Sequence, residues 1–128
     1  ERVEVWRDDV TLFSDAVLQT PNSDRAWLNL GAAQMIRGRA SRAEIAYLHA
    51  AELAPRRIAP PLNLGLLALS RSDPRAALPW LERAVHAEPT RAEAPLHRRA
   101  VSLYVRALRA LGRGEEARRV AREHSEAR

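Results

Sequence analysis

Apolar side chains recur at helical spacing along this chain, in blocks that end near proline or glycine. In the first block, Trp6, Val10, Phe13 and Val17 follow one another at intervals of three or four residues, so a helix from about residue 3 to 19 has one apolar face. Pro21 ends this helix because its ring cannot continue the backbone hydrogen bonds. Later blocks have the same period, and together they predict an all-α chain of about seven helices.

Two of the blocks share the sequence Asn-Leu-Gly, first at positions 29–31 and again at positions 63–65. The same offset relates Ala43 to Ala77, Tyr47 to Leu81, Ala50 to Ala84 and Pro55 to Pro89. A fixed period of about 34 residues is the signature of an architecture that repeats one helix pair along the chain.

The third copy is out of step with the first two. The alanine of its second helix is expected at position 111 but is found at Ala117, which places an insertion between Thr90 and His97. The insertion either lengthens the first helix of this repeat by nearly two turns or forms a short extra loop, and the sequence leaves both open. The predicted division is a leading helix in residues 1–22, a first repeat in 23–57, a second in 58–90 and an irregular third in 91–128. The last helix is nearly all polar, so we expect it to cap the array, with the native chain ending near Arg128.

Local signals define the helix ends and one helix contact. Ser23 or Asp24, and later Asp73, are N-cap residues, whose side-chain oxygens accept hydrogen bonds from the first turn. Gly38 follows the second helix in a C-cap position. Gly31 lies in the middle of that helix, where glycine costs about 1 kcal/mol relative to alanine. Its recurrence at the equivalent position of the next repeat indicates a close approach of two helices.

These positions resemble the tetratricopeptide repeat, with its order of bulky residue, Leu, Gly, then Ala, aromatic residue, Ala and Pro. In the first repeat the matching residues are Trp27, Leu30, Gly31, Ala43, Tyr47, Ala50 and Pro55. In the second they are Leu64, Gly65, Ala77, Leu81, Ala84 and Pro89, with Pro61 at the bulky position. The third repeat matches weakly, through Val101, Tyr104, Ala117 and Ala121. The resemblance implies a right-handed solenoid of antiparallel helix pairs, whose concave face is built from the first helix of each pair.

The opening of the chain is also similar to a particular group of bacterial membrane proteins. The stretches at residues 6–13 and 21–27 look like the segment that follows the last membrane span in proteins with a C-terminal repeat domain, some of which resemble protein O-mannosyltransferases. This likeness implies a soluble, extracytoplasmic end of a membrane protein. The compartment stays open between cytoplasmic and extracytoplasmic. No apolar run in the chain approaches the ~18 residues of a membrane span, so we expect no membrane contact through this segment itself.

The family's geometry also implies which side chains face the concave groove. They are Arg25, Leu28, Asn29 and Ala32 in the first repeat, Leu62, Asn63 and Leu66 in the second, and Arg99, Arg106 and Arg109 in the third. An apolar trough that leads to a row of guanidinium groups suits a peptide with hydrophobic anchors and an acidic end, because arginine can bind a carboxylate through two parallel hydrogen bonds. The predicted function is therefore a non-enzymatic scaffold that binds a peptide or protein segment.

The distribution of charge supports an acidic partner and raises one alternative. Residues 1–97 contain 12 arginines and 12 acids, whereas residues 98–128 contain 9 arginines and 4 acids, so the net charge of +5 belongs to the C-terminal end. Nucleic acid could also bind such a cluster. It is disfavoured because aromatic residues are scarce, and Trp6, Phe13, Trp27, Tyr47 and Trp80 are interpreted as core rather than as a stacking platform. A second alternative is self-association or a spacer role, with the unpartnered leading helix packing on another copy.

Residues that would carry chemistry are few. The chain has no cysteine, and its four histidines, at 49, 86, 97 and 124, lack the spacing of metal ligands, so each is interpreted as a helix-surface residue. No phosphate-binding glycine loop or nucleophile motif is present. The sequence therefore predicts neither an enzyme nor a bound cofactor or metal.

Overall fold

The structure, a computed structural model, describes residues 9–125. Within this range the chain forms helices and turns and no strand. The helices are α1 (Asp9–Gln19), α2 (Asp24–Ile36), α3 (Ala40–Leu53), α4 (Ala59–Ser70), α5 (Pro74–His86), α6 (Ala94–Ala110) and α7 (Gly114–Ser125). The all-α prediction with about seven helices is confirmed. Trp6 and the predicted start of the leading helix lie outside the described residues. Among the described helices, none combines the length and hydropathy needed to cross a bilayer.

The helices fall into two compact units that divide after Pro55. In the first unit, α2 packs against both α1 and α3. In the second unit, α4 packs against α5, and α6 packs against α4, α5 and α7. The core of the second unit runs through all four of its helices and includes Ile58, Leu81, Ala100, Leu108 and Val120. Short turns join the helices within each pair, which makes the paired helices neighbours in space.

Two glycines let the first helix of a pair lie directly against a side chain of the second. A Cβ atom added at Gly31 would lie 2.6 Å from Cδ1 of Tyr47, and one added at Gly65 would lie 2.6 Å from Cγ of Leu81. Tyr47 and Leu81 are both buried, and burial raises the pKa of the Tyr47 hydroxyl. The close approach expected from the mid-helix glycines is therefore present in both pairs.

One turn recurs after the first helix of each pair. Gly38, Ser72 and Gly112 all have positive φ, at 73°, 58° and 74°. In each case the next residue donates its N–H to a carbonyl at the end of the preceding helix, as in Arg39 to Gln34, Asp73 to Ala68 and Arg113 to Leu108. This is the hydrogen bond of a Schellman cap. The offset from Gly38 to Ser72 is the one that relates the first two repeats, and the longer offset from Ser72 to Gly112 includes the insertion.

The inserted residues extend a helix. α6 has 17 residues, against 13 in α2 and 12 in α4, so it is longer by a little over one turn. The remaining insertion forms a turn at residues 91–93. Pro95 lies in the first turn of α6, where its missing N–H leaves no hydrogen bond unmade.

Glu93, within the insertion, joins two helix starts. Its Oε1 accepts the N–H of Thr90 at 3.1 Å while the Thr90 hydroxyl accepts the N–H of Glu93 at 3.2 Å, the reciprocal pattern of a capping box. Its Oε2 accepts the N–H of Ile58, at the start of α4, at 3.1 Å. Burial acts to raise the pKa of Glu93, but these hydrogen bonds and the charge of Arg57 outweigh it and hold the pKa below its usual value.

The predicted aromatic core is only partly correct. Tyr47 is buried, whereas Phe13, Trp27 and Trp80 are only half-buried. The Trp27 ring stacks on exposed His49 with centroids 4.1 Å apart, and its Nε1–H donates to the carbonyl of Pro21 at 2.8 Å. The indole of Trp27 therefore packs at the edge of its helix pair, whereas alanines occupy the interior positions.

We expect Ser72→Gly to stabilise the domain. A residue other than glycine in the left-handed region costs roughly 1–2 kcal/mol, which glycine would relieve. Glycine also has more conformational freedom in the unfolded chain, and this offsets part of the stabilisation. The expected net increase is about 0.5–1 kcal/mol in the free energy of unfolding, measured by urea denaturation. Gly38→Ala and Gly112→Ala are matched controls and should destabilise. A neutral or destabilising effect of Ser72→Gly would contradict the left-handed geometry at this turn.

Glu93→Gln should destabilise the domain in a pH-dependent way. The carboxylate accepts hydrogen bonds that the amide cannot all replace, so the expected loss near pH 7 is about 1–2 kcal/mol. Because the folded-state pKa is lowered, this stability is present above the unfolded value of about 4.3 and is lost as pH falls through the folded value. Unfolding curves of both proteins should therefore converge at acid pH. Glu88→Gln, which changes an exposed side chain nearby, is the control, and a constant difference across pH would refute the assignment.

Candidate functional site

The predicted groove residues of the first repeat lie on one exposed side of α2. These four residues follow the spacing i, i+3, i+4 and i+7, so they share a helix face: Arg25, Leu28, Asn29 and Ala32. Arg25, Asn29 and Ala32 are exposed and Leu28 is half-buried. This face belongs to the first unit.

One residue of the second repeat was wrongly predicted to face the groove. Leu62 is only 3% exposed and belongs to the core of the second unit, so it is not a groove residue. It is buried because α6 packs on α4 as well as on α5. Asn63 and Leu66 remain half-buried on α4.

The arginines predicted in the third repeat lie on α6. This helix carries four arginines, Arg98, Arg99, Arg106 and Arg109, and no acid. All four are exposed, and none has a hydrogen bond or ion pair from its side chain to another described residue. By contrast, Arg113 lies beyond the end of α6 and its Nε donates to Glu116 at 2.8 Å, so it does not extend the row.

A groove runs along α6 beside the C-terminal half of α7. Its volume is about 690 Å³. Valines, alanines and a proline form its apolar surface, and within residues 9–125 the other side chains that line it are basic or uncharged, with no acid among them. The lining residues are Pro89, Ala94, His97, Arg98, Val101, Ser102, Val105, Arg109, Ala121, His124 and Ser125. Of the predicted site residues, Arg109 lies in this groove, and Arg99 and Arg106 lie outside its lining.

Two histidines at the groove are held in place by backbone carbonyls. The Nε2–H of His97 donates to the carbonyl of Val85 at 2.8 Å, and the Nδ1–H of His124 donates to that of Val120 at 2.9 Å. Because a carbonyl can only accept, each bond requires a proton on that ring nitrogen. The ring centroids are 5.6 Å apart. Both rings are half-buried at the groove surface, whereas His49 and His86 are exposed. Within residues 9–125, no cluster of three or more histidines or acids is arranged to hold a metal ion.

A second basic hollow lies at the start of α7, but its charges are partly neutralised. Glu116 pairs with Arg113, and Arg119 lies within 4.0 Å of both Glu116 and Glu123. This hollow therefore mixes arginines with acids, whereas the described residues that line the groove along α6 include arginines and no acid.

Exposed apolar side chains are found on the first unit instead. On α1 only Val17 is buried among the described residues, while Leu12 and Leu18 are 51% and 79% exposed. Ile36 at the end of α2 is 81% exposed. Self-association, the alternative function, would use this apolar surface.

The groove residues that the sequence interpretation missed are Arg98, His97, His124 and Ser125. The offset from Ser72 to Gly112 between the second and third repeats aligns Ile58 with Arg98, Ala84 with His124 and Val85 with Ser125, so a change from apolar to polar residues would find these three. It would not find His97, whose equivalent is Arg57.

The comparison with known families agrees with this geometry. A family model described as tetratricopeptide repeat matches residues 10–58 and 62–127. The chain belongs to the tetratricopeptide repeat family. Repeats of this family generally mediate contacts between proteins and typically act as non-enzymatic scaffolds. A search of curated proteins returned no match. For this tetratricopeptide repeat domain, the question is therefore which surface carries the contact and what the partner's chemistry is.

Proposed function

We propose that this domain is a protein-interaction scaffold that binds an acidic segment of a partner protein along α6. The observation that carries the proposal is a 17-residue helix with four arginines and no acid, in which no arginine side chain pairs with another residue in the described range 9–125. Guanidinium groups that have no internal partner are free to bind carboxylates through paired hydrogen bonds. Arg99, Arg106 and Arg109 are the predicted contact residues, and Arg98 joins them.

The partner's anchors follow from the same helix. The apolar surface of the groove, at Val101, Val105 and Ala121, can bury a partner side chain beside Arg98 and Arg109. A segment that combines carboxylates with aliphatic residues fits this surface better than a phosphate backbone, because binding of nucleic acid needs charge but has no use for aliphatic contacts. Leu28 and Asn29 on α2 and Asn63 on α4 remain proposed contacts with a partner, each for its own unit.

The experiment is selection of a random peptide library on the immobilised domain, followed by fluorescence anisotropy with the enriched peptides. We expect enrichment of Asp and Glu together with Leu or Ile. Replacing Arg99, Arg106 and Arg109 together by Glu should weaken binding by at least about tenfold, since a hydrogen bond to a charged group contributes about 1.5–3 kcal/mol.

The matched control reverses three exposed arginines elsewhere in the second unit, with Arg71→Glu, Arg75→Glu and Arg118→Glu. It changes the net charge equally and should keep affinity within about threefold. Selected peptides without excess acid, or equal loss in both variants, would overturn the proposal. So would a single-stranded oligonucleotide that binds more tightly than every selected peptide.

A further inference from the structure

The groove along α6 is equivalent to a surface that a helix covers in the preceding repeat. The offset from Ser72 to Gly112, which relates the two left-handed turns, aligns α4 with the later part of α6 and α5 with α7. In the second repeat, the corresponding surface of α4 and α5 is covered by α6 itself. Direct contacts show this, because Glu93 binds the N–H of Ile58 and His97 binds the carbonyl of Val85.

The chemistry of this surface changes between the two repeats. The covered residues in the second repeat are Ile58, Leu62, Ala84 and Val85, each at most 4% exposed. Their equivalents at the groove are Arg98, Ser102, His124 and Ser125. Basic and polar side chains at the groove therefore occupy positions that are apolar and buried in the second repeat.

We infer that the groove receives one helix of a partner protein, and that this helix carries acidic residues near both ends of a short apolar stripe. This inference rests on the proposed function and adds the partner's conformation and the end of the domain to which it binds. The stripe lies over Val101 and Val105, and the acids meet Arg98 and Arg109 at the two ends of the groove.

The size of the groove agrees with this occupant. A helix of about 10–12 Å diameter and 5.4 Å pitch fills roughly 420–610 Å³ per turn. The groove volume of about 690 Å³ therefore holds between one and two turns. Its limited length means that a handful of side chains determine affinity, so one or two arginine replacements should have a large effect.

The test uses a synthetic peptide of residues 94–110 in which Arg98, Arg99, Arg106 and Arg109 are all replaced by Glu. It keeps the apolar stripe with which α6 itself covers α4 and α5, and it reverses the charge. Two control peptides accompany it: one has the same composition in scrambled order, and one is the test peptide with Leu103→Pro, which breaks the helix. Binding to the 128-residue chain is measured by fluorescence anisotropy and isothermal titration calorimetry at low and moderate salt.

We expect the helical peptide to bind at least tenfold more tightly than either control, with an increase in its helical circular dichroism on binding. Arg98→Glu with Arg109→Glu should weaken binding about tenfold or more, whereas Arg75→Glu with Arg118→Glu should leave it within about threefold. Thermal unfolding of both variants confirms that they are folded.

The outcomes separate this inference from the proposed function. Equal binding of the helical and proline-containing peptides would overturn the inference that the groove binds a helix, but it would leave the binding of an acidic segment in place. The same conclusion follows if the helical peptide does not bind while extended acidic peptides from the library bind through Arg99, Arg106 and Arg109. If no acidic peptide binds in any form, both the proposed function and the inference that the groove binds a helix are wrong.

Discussion

The fold depends on how closely two helices of a pair approach each other. At Gly31 and Gly65 the absent Cβ leaves room for Tyr47 and Leu81, and these two side chains fill the pairs. Any larger residue at either glycine would have to push its partner helix outward, because packed interiors have no free volume to absorb it. In the third pair the equivalent positions hold Val105 and Ala121, so the larger residue is now on the first helix and the smaller one on the second. At these positions the larger and the smaller residue have therefore changed places between the two helices.

This exchange explains what could be predicted from the sequence. The recurring Asn-Leu-Gly defined the first two pairs, since a mid-helix glycine that returns at the repeat interval has one simple physical meaning. The third pair matched poorly because Val105 stands where glycine was expected. Helix ends were predictable where a side chain caps its own helix, as Ser23 does by accepting the N–H of Ala26 and Asp73 that of Ala76. The capping box of Thr90 and Glu93 has an equally local pattern, but the bond from Glu93 to Ile58 joins distant parts of the chain and needs the fold.

The candidate site was predictable only in part, for a related reason. The arginines of α6 stand out in the sequence as charge without compensating acids, and three of them were identified. Which surface they border depends on packing. Leu62 was assigned to a groove because its position in the helix pair allows exposure, yet the long α6 covers it. His97 and His124 are far apart in the sequence, and only the pairing of α6 with α7 brings their rings together. Charge is thus a property of the sequence, whereas the exposure of a given face depends on the neighbouring helix.

The second unit therefore combines an apolar interior with a groove along α6 whose polar residues are equivalent to buried apolar residues of the preceding repeat. The measurement that tests this most directly is a ¹⁵N NMR titration of the domain with the charge-reversed 94–110 peptide. Binding in the groove along α6 should change the backbone amide shifts of residues 98–109 and 120–125, with little change on the exposed face of α2. Changes concentrated on α2 at residues 25–32, or spread evenly over the arginine-bearing surface, would contradict it.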